Sequence, residues 1–291
     1  VADFAMRTAL VLAALIAAAA ALAEPAEPLG KAPLVVRRAL ADPPNAAAIR
    51  ARIWVPGLDE GFIPQGLAWS DGRIVLAGYV STERTQDRGA CRLLWIEPAS
   101  GEAVRRLDLP PACGHAGGLA RLENGKLLVA DTHVVFIVGN LGVEQTTRLD
   151  GALTGSFADF DGRHVWLGRY DRAGGKLWRF SPSSFLQPTL GEKDAVAAID
   201  APPLMQGLAF DAEGRMWGTA SGGSRGEILR LDEFGRVVAR YEAPAGIEDI
   251  AFSPDGKMWA SSEAGARRWS HWATFFPLVF SIDMKALRET P

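Results

Sequence analysis

The apolar positions of this chain fall into short alternating runs broken by turn dipeptides, and one such pattern returns five times. The segments are GLAWSDGRIVLAGY from Gly66, GLARLENGKLLVADT from Gly118, SFADFDGRHVWLGRY from Ser156, GLAFDAEGRMWGTAS from Gly207 and DIAFSPDGKMWASSE from Asp249. Each predicts two antiparallel strands around an Asp-Gly, Asn-Gly or Glu-Gly turn, where glycine supplies the positive φ that a tight hairpin needs. Ala68, Ala120, Ala158, Ala209 and Ala251 hold one register in all five copies, as a crowded inner strand demands.

A third strand follows every hairpin (CRLLWIEP, HVVFIVGN, GKLWRFSP, GEILRLDE, LVFSIDMK) and a fourth follows in four copies (AVRRLDLP, EQTTRLDG, AVAAIDAP, VVARYEAP). The last copy lacks its fourth strand, and RARIWVPGL at residues 50–58 has that pattern at the other end of the chain. Four-stranded units closed by a strand from the opposite terminus predict an all-β, five-bladed β-propeller over residues 50–291. A sixth blade is the alternative if LVVRRA at residues 34–39 forms a degenerate unit.

Ahead of the repeats, Arg7 precedes an apolar run at residues 9–23 that ends in Ala21-Leu22-Ala23. A short basic start, an apolar middle and A-x-A form a secretory signal, and fifteen residues fall short of the about 20 a spanning helix needs. The expectation is a signal over residues 1–23 with an upstream extension, a Pro/Ala-rich tether over 24–49, and a secreted or periplasmic protein without a transmembrane segment in the mature chain. Export bears on Cys91 and Cys113, which sit on neighbouring loops of one propeller face as a disulfide or as two free thiols.

Composition narrows the function class. A formal charge of −3 over 291 residues leaves no basic face for nucleic acid. No Cys/His cluster suits structural zinc. A monomer is expected, with a small molecule or an extracellular or periplasmic protein as partner.

The GLA/DIA hairpins, with SPDGKMW among them, resemble the SMP-30/gluconolactonase, strictosidine-synthase-like and paraoxonase superfamily, and the ensemble SFADFDGRHVWLGRYD, MQGLAF and SSEAGA resembles secreted bacterial propellers. That resemblance implies Ca2+ or another divalent cation in the central tunnel and hydrolysis of lactones or esters. Carried over residue by residue, it places metal ligands at Gln65, Ser156, Gln206 and the pair Glu248 and Asp249, of which only the last pair keeps carboxylates. It also makes His115 and His133, flanking one hairpin, a proton-transfer pair.

Strand ends of the same face add Tyr79, Asp131, Arg169, Tyr170, Ser221 and Glu263 to Gln65, His115, Gln206, Glu248 and Asp249 as a polar ring around one tunnel mouth, with Ser156 a further ligand-binding candidate. Convergent polar groups in a concavity describe a small-molecule site. The loop ARRWSHWATFFP adds Arg267 and Trp269, either as a recognition patch or folded down as a cap. Gly222-Gly223-Ser224-Arg225-Gly226 matches G-x-S-x-G, but it joins two strands instead of a strand and a helix, so it reads as a turn. Two readings remain: a binding propeller, or a metal-dependent lactonase or esterase.

Overall fold

The computed structural model describes residues 27–34 and 38–290; the expected signal segment lies outside them. The first strand is β1 (Ile49–Trp54), and blade one contains β2 (Phe62–Ser70), β3 (Arg73–Val80), β4 (Ala90–Ile96) and β5 (Ala103–Asp108). Blade two contains β6 (Gly118–Arg121), β7 (Leu127–Asp131), β8 (Val134–Gly139) and β9 (Gly142–Leu149). Blade three follows with β10 (Phe157–Phe160), β11 (Val165–Arg169), β12 (Gly175–Phe180), the two-residue β13 (Thr189–Leu190) and β14 (Ala197–Ala201). Blade four is β15 (Met205–Phe210), β16 (Met216–Gly222), β17 (Arg225–Leu231) and β18 (Val237–Ala243). Blade five is β19 (Ile247–Phe252), β20 (Met258–Ser262) and β21 (Leu278–Ile282).

Five sheets result, and the inner strands β2, β6, β10, β15 and β19 pack on one another in a closed ring. The protein is a five-bladed β-propeller, with no sixth sheet among the described residues. Blade five gains its outer strand from β1, which pairs antiparallel with β21 from Ile49 opposite Ile282 to Trp54 opposite Leu278. Closure of this kind removes the open edge a linear array would leave. One strand was not legible in the sequence: β13 leaves blade three and pairs in parallel with β9 of blade two, tying two neighbouring blades together.

The repeated glycine has a steric cause. A Cβ on Gly118 would lie 2.4 Å from the backbone nitrogen of Ala158, and one on Gly66 would lie 2.9 Å from the carbonyl carbon of Gly118. Neighbouring inner strands therefore approach too closely for any side chain at this register. At three successive interfaces the blades are clasped by aromatic pairs. The residue after the marker alanine meets a tryptophan from the second strand of the preceding blade: Phe210 with Trp166, Phe252 with Trp217, and Trp69 with Trp259, at centroid distances of 5.7, 6.4 and 5.9 Å.

Residues before β1 are packed against the ring. Leu29 bridges Ile53, and the Arg38 guanidinium donates to the carbonyls of Ser270, Trp272 and Ala273 at 3.2, 2.8 and 2.7 Å. Cys91 and Cys113 are joined as a disulfide across 22 residues. Restricting a loop of that length in the unfolded chain stabilises by about 3 kcal/mol. Reduction is expected to lower the melting temperature by roughly 6–12 °C, since a domain of this size shifts about 2–4 °C per kcal/mol. Thermal scans with and without reductant, or of Cys113→Ser, measure this.

Candidate functional site

Where the inner strands begin, one end of the axis gathers two glutamates. Glu248 lies on β19 and Glu263 just past β20, and both are buried, at 3% and 6% exposure. They are hydrogen-bonded to each other; burial raises both carboxyls, Glu263 to about 7, and the Glu263 charge helps push Glu248 well above the carboxylate range. Two carboxylates this close cannot both ionise without severe penalty, so near neutrality they share a proton. Gln65 Nε2 donates to Glu263 Oε2 at 3.0 Å, and Gln206 Nε2 approaches Glu248 Oε1 at 3.4 Å.

A roof covers this pair. In the loop of residues 264–277, Arg268 donates from Nη1 to the Tyr79 hydroxyl and lies 4.3 Å from the Trp269 ring centroid. Trp269 stacks on Trp272 at 4.6 Å, and Gly223 of the G-x-S-x-G turn seats the Trp272 edge, where a Cβ would come within 3.2 Å. The motif therefore supplies clearance for an indole. The Tyr79 hydroxyl is pushed up by burial and by the Glu263 charge, so it remains protonated and able to donate. The ring of Tyr79 in turn stacks on His115 at 4.7 Å.

His115 is half-buried and desolvation lowers its pKa, so the imidazole is neutral; its Nδ1 lies 2.8 Å from the Asp87 carbonyl and donates to it. Its backbone is held by Asp131, whose Oδ1 accepts from the N–H groups of Gly114, His115 and Ala116 at 3.1, 2.5 and 2.9 Å. Asp131 Oδ2 takes Arg88 at 3.0 Å. Both oxygens of Asp131 are thus spent on holding the disulfide-linked loop.

The structure brings together Gln65, Tyr79, Gln206, Glu248, Glu263, Trp269 and His115. It does not bring His133 to His115: His133 is exposed, and no hydrogen bond or ring contact joins the two among the described residues. Ser156 is half-buried ahead of β10, its N–H bonded to the Gly168 carbonyl. Arg169 lies 5.8 Å from the Trp178 ring centroid within blade three, with Tyr170 following it, and Arg267 is exposed. Sequence reasoning takes Arg267 with Trp269 as the loop's site residues, because nothing in the order of residues separates Arg268 from Arg267, and it misses Arg88.

Asp249 stands apart from Glu248. Its Oδ2 accepts from Leu67 N–H on β2 at 3.0 Å, and its Oδ1 from Leu208 N–H on β15 and its own neighbour Ile250 at 3.3 and 3.0 Å. These bonds occupy the carboxylate that the resemblance would give to calcium. Glu248, Glu263 and two glutamine amides remain, beside the Arg268 cation. Calcium takes six to eight oxygens, and this donor set does not fit it. The other grouping of ligand-type atoms, Cys91, Cys113 and Asp131, contains the disulfide sulfurs and offers no thiolate.

No family model matches the sequence, and no curated protein matches it. Among solved structures the chain is similar to the glutaminyl cyclase of Myxococcus xanthus, at 18% identity and a TM-score of 0.60, covering 84% of this chain and 97% of that one. It is also similar to a protein of unknown function from Bacteroides caccae (13% identity, TM-score 0.47, 79% of this chain and 83% of that one) and to the PQQ-bound aldose sugar dehydrogenase of Streptomyces coelicolor (13%, 0.45, 75% and 93%). The cyclase likeness supports the propeller fold. A fold does not by itself fix an activity, so function is argued from the site.

Proposed function

We propose that this chain is an exported β-propeller that binds a small molecule at the Glu248–Glu263 pair, beneath the aromatic loop of residues 264–277. The observation that carries the reading is the pair itself. An axis filled by apolar side chains would avoid the several kcal/mol that burying ionisable groups costs. Two carboxyls placed side by side, one near neutrality, beneath a loop of stacked indoles, mark a site that exchanges hydrogen bonds or protons with a ligand. The chemistry suits a molecule presenting N–H donors, an amine or an amide, with Gln65 and Gln206 as further partners. Export is supported by the segment at residues 9–23 and by the Cys91–Cys113 bond.

The metal-dependent lactonase reading draws less support, because Asp249 is committed to backbone donors. Calorimetric titration with small amides, lactams and amines is expected to give a saturable heat that Glu263→Gln abolishes. A panel without saturation, or an unaltered variant, overturns the proposal. Calcium-dependent lactone turnover by the pure protein would favour hydrolysis instead.

A further inference from the structure

We propose that the opposite end of the axis, where the inner hairpins turn, is a second ligand site that takes organic cations: a quaternary or protonated ammonium on a small apolar body. A cavity of about 900 Å³ opens there and is lined by residues of all five blades. Its wall carries the half-buried rings of Trp69, Phe160, Phe210 and Phe252, one each from blades one, three, four and five. Three of these rings use one side in the interblade clasps described above, and the remaining ring surface turns toward the cavity. Aromatic faces attract cations through their quadrupole, by up to about 2 kcal/mol or more once the cation is desolvated.

Charge selects the ligand's sign. Six ionisable groups besides Asp159 line the cavity, and five of them are paired. Arg215 lies 2.7 Å from Asp211 and 2.7 Å from Glu213, and Arg121 lies 3.7 Å from Asp71. Lys285 is the sixth, with no ion pair among the described residues. Asp159, in the wall, has no ion pair among the described residues; its Oδ2 accepts the Phe210 N–H at 2.9 Å. Burial raises this carboxyl to about 7, so an arriving cation compensates a charge that the protein leaves unbalanced. A carboxylate among aromatic rings discriminates a cation from a neutral molecule of the same shape.

The pair of probes that tests this is choline and its uncharged isostere 3,3-dimethylbutan-1-ol, titrated against the intact protein at pH 8. Tryptophan fluorescence provides the signal, since Trp69 and Trp217 border the cavity. Choline is expected to saturate at concentrations at least tenfold lower than the alcohol. Asp159→Asn is expected to weaken choline at least tenfold and leave the alcohol unchanged. Trp69→Leu, compared by circular dichroism with the parent for folding, is expected to weaken both. Equal response to the two probes, absence of saturation, or full choline binding by Asp159→Asn or Trp69→Leu overturns the proposal.

Discussion

Asp249→Ala is expected to lose about 3–9 kcal/mol of folding free energy, because three buried N–H groups lose their acceptor at about 1–3 kcal/mol each. The carboxylate bonds Leu67 of blade one, Leu208 of blade four and Ile250 of blade five, so it fastens three inner strands at once. A domain holds only about 5–15 kcal/mol in total, so the variant should lose a large share of its stability. Asp249→Asn keeps one acceptor oxygen and should lose less. Urea unfolding measures both; a loss under about 1 kcal/mol for the alanine variant would show that the carboxylate is not a clasp.

A second large effect is expected in the dependence of stability on pH. Glu263 is raised from 4.5 to about 7 by burial. Between those two values the folded protein keeps a proton that the unfolded chain has already released. Stability therefore falls as pH rises through this window, by on the order of 3 kcal/mol once pH exceeds the folded value. Glu248 and Asp249 are shifted in the same direction by the same cause. At the acid end, Asp161 and Asp211 are held low by tryptophan N–H and backbone donors, and their contribution disappears as pH falls through their folded values. The profile is a dome with its maximum on the acid side of neutrality. Glu263→Gln is expected to flatten the alkaline limb and to be more stable than the parent at pH 8 but not at pH 4. Denaturant midpoints at pH 4, 6 and 8 decide it; parallel profiles for the two proteins would show that Glu263 does not carry the shift.

The blades were legible because each wrote its own signal twice, as a turn glycine that tolerates positive φ (Asp71 at 51° and Gly72 at 76°, for instance) and as the alanine between crowded strands. Closure by residues 50–58 was legible from a count of strands, and β1 pairs with β21 as that count required. The site was less so. Glu248 and Asp249 are adjacent in sequence and invite reading as one pair, but the register of β19 slips between Ile247 and Ile250, and that irregularity aims the two side chains apart. Glu248 accordingly meets Glu263, fifteen positions away, while Asp249 turns into the backbone ring. The polar ring was expected to surround a tunnel mouth, and the structure buries it under Arg268 and Trp269, since cap and patch have the same composition. The excursion of β13 to blade two carries no periodic mark at all: two residues are too few to show alternation.

The pairing of β1 with β21 also sets a timetable. β1 must wait, unpaired, until β21 has been made, so the ring cannot lock before that strand arrives. Once shut, the same latch makes loss of either end equivalent, because trimming β1 or β21 frees the same sheet.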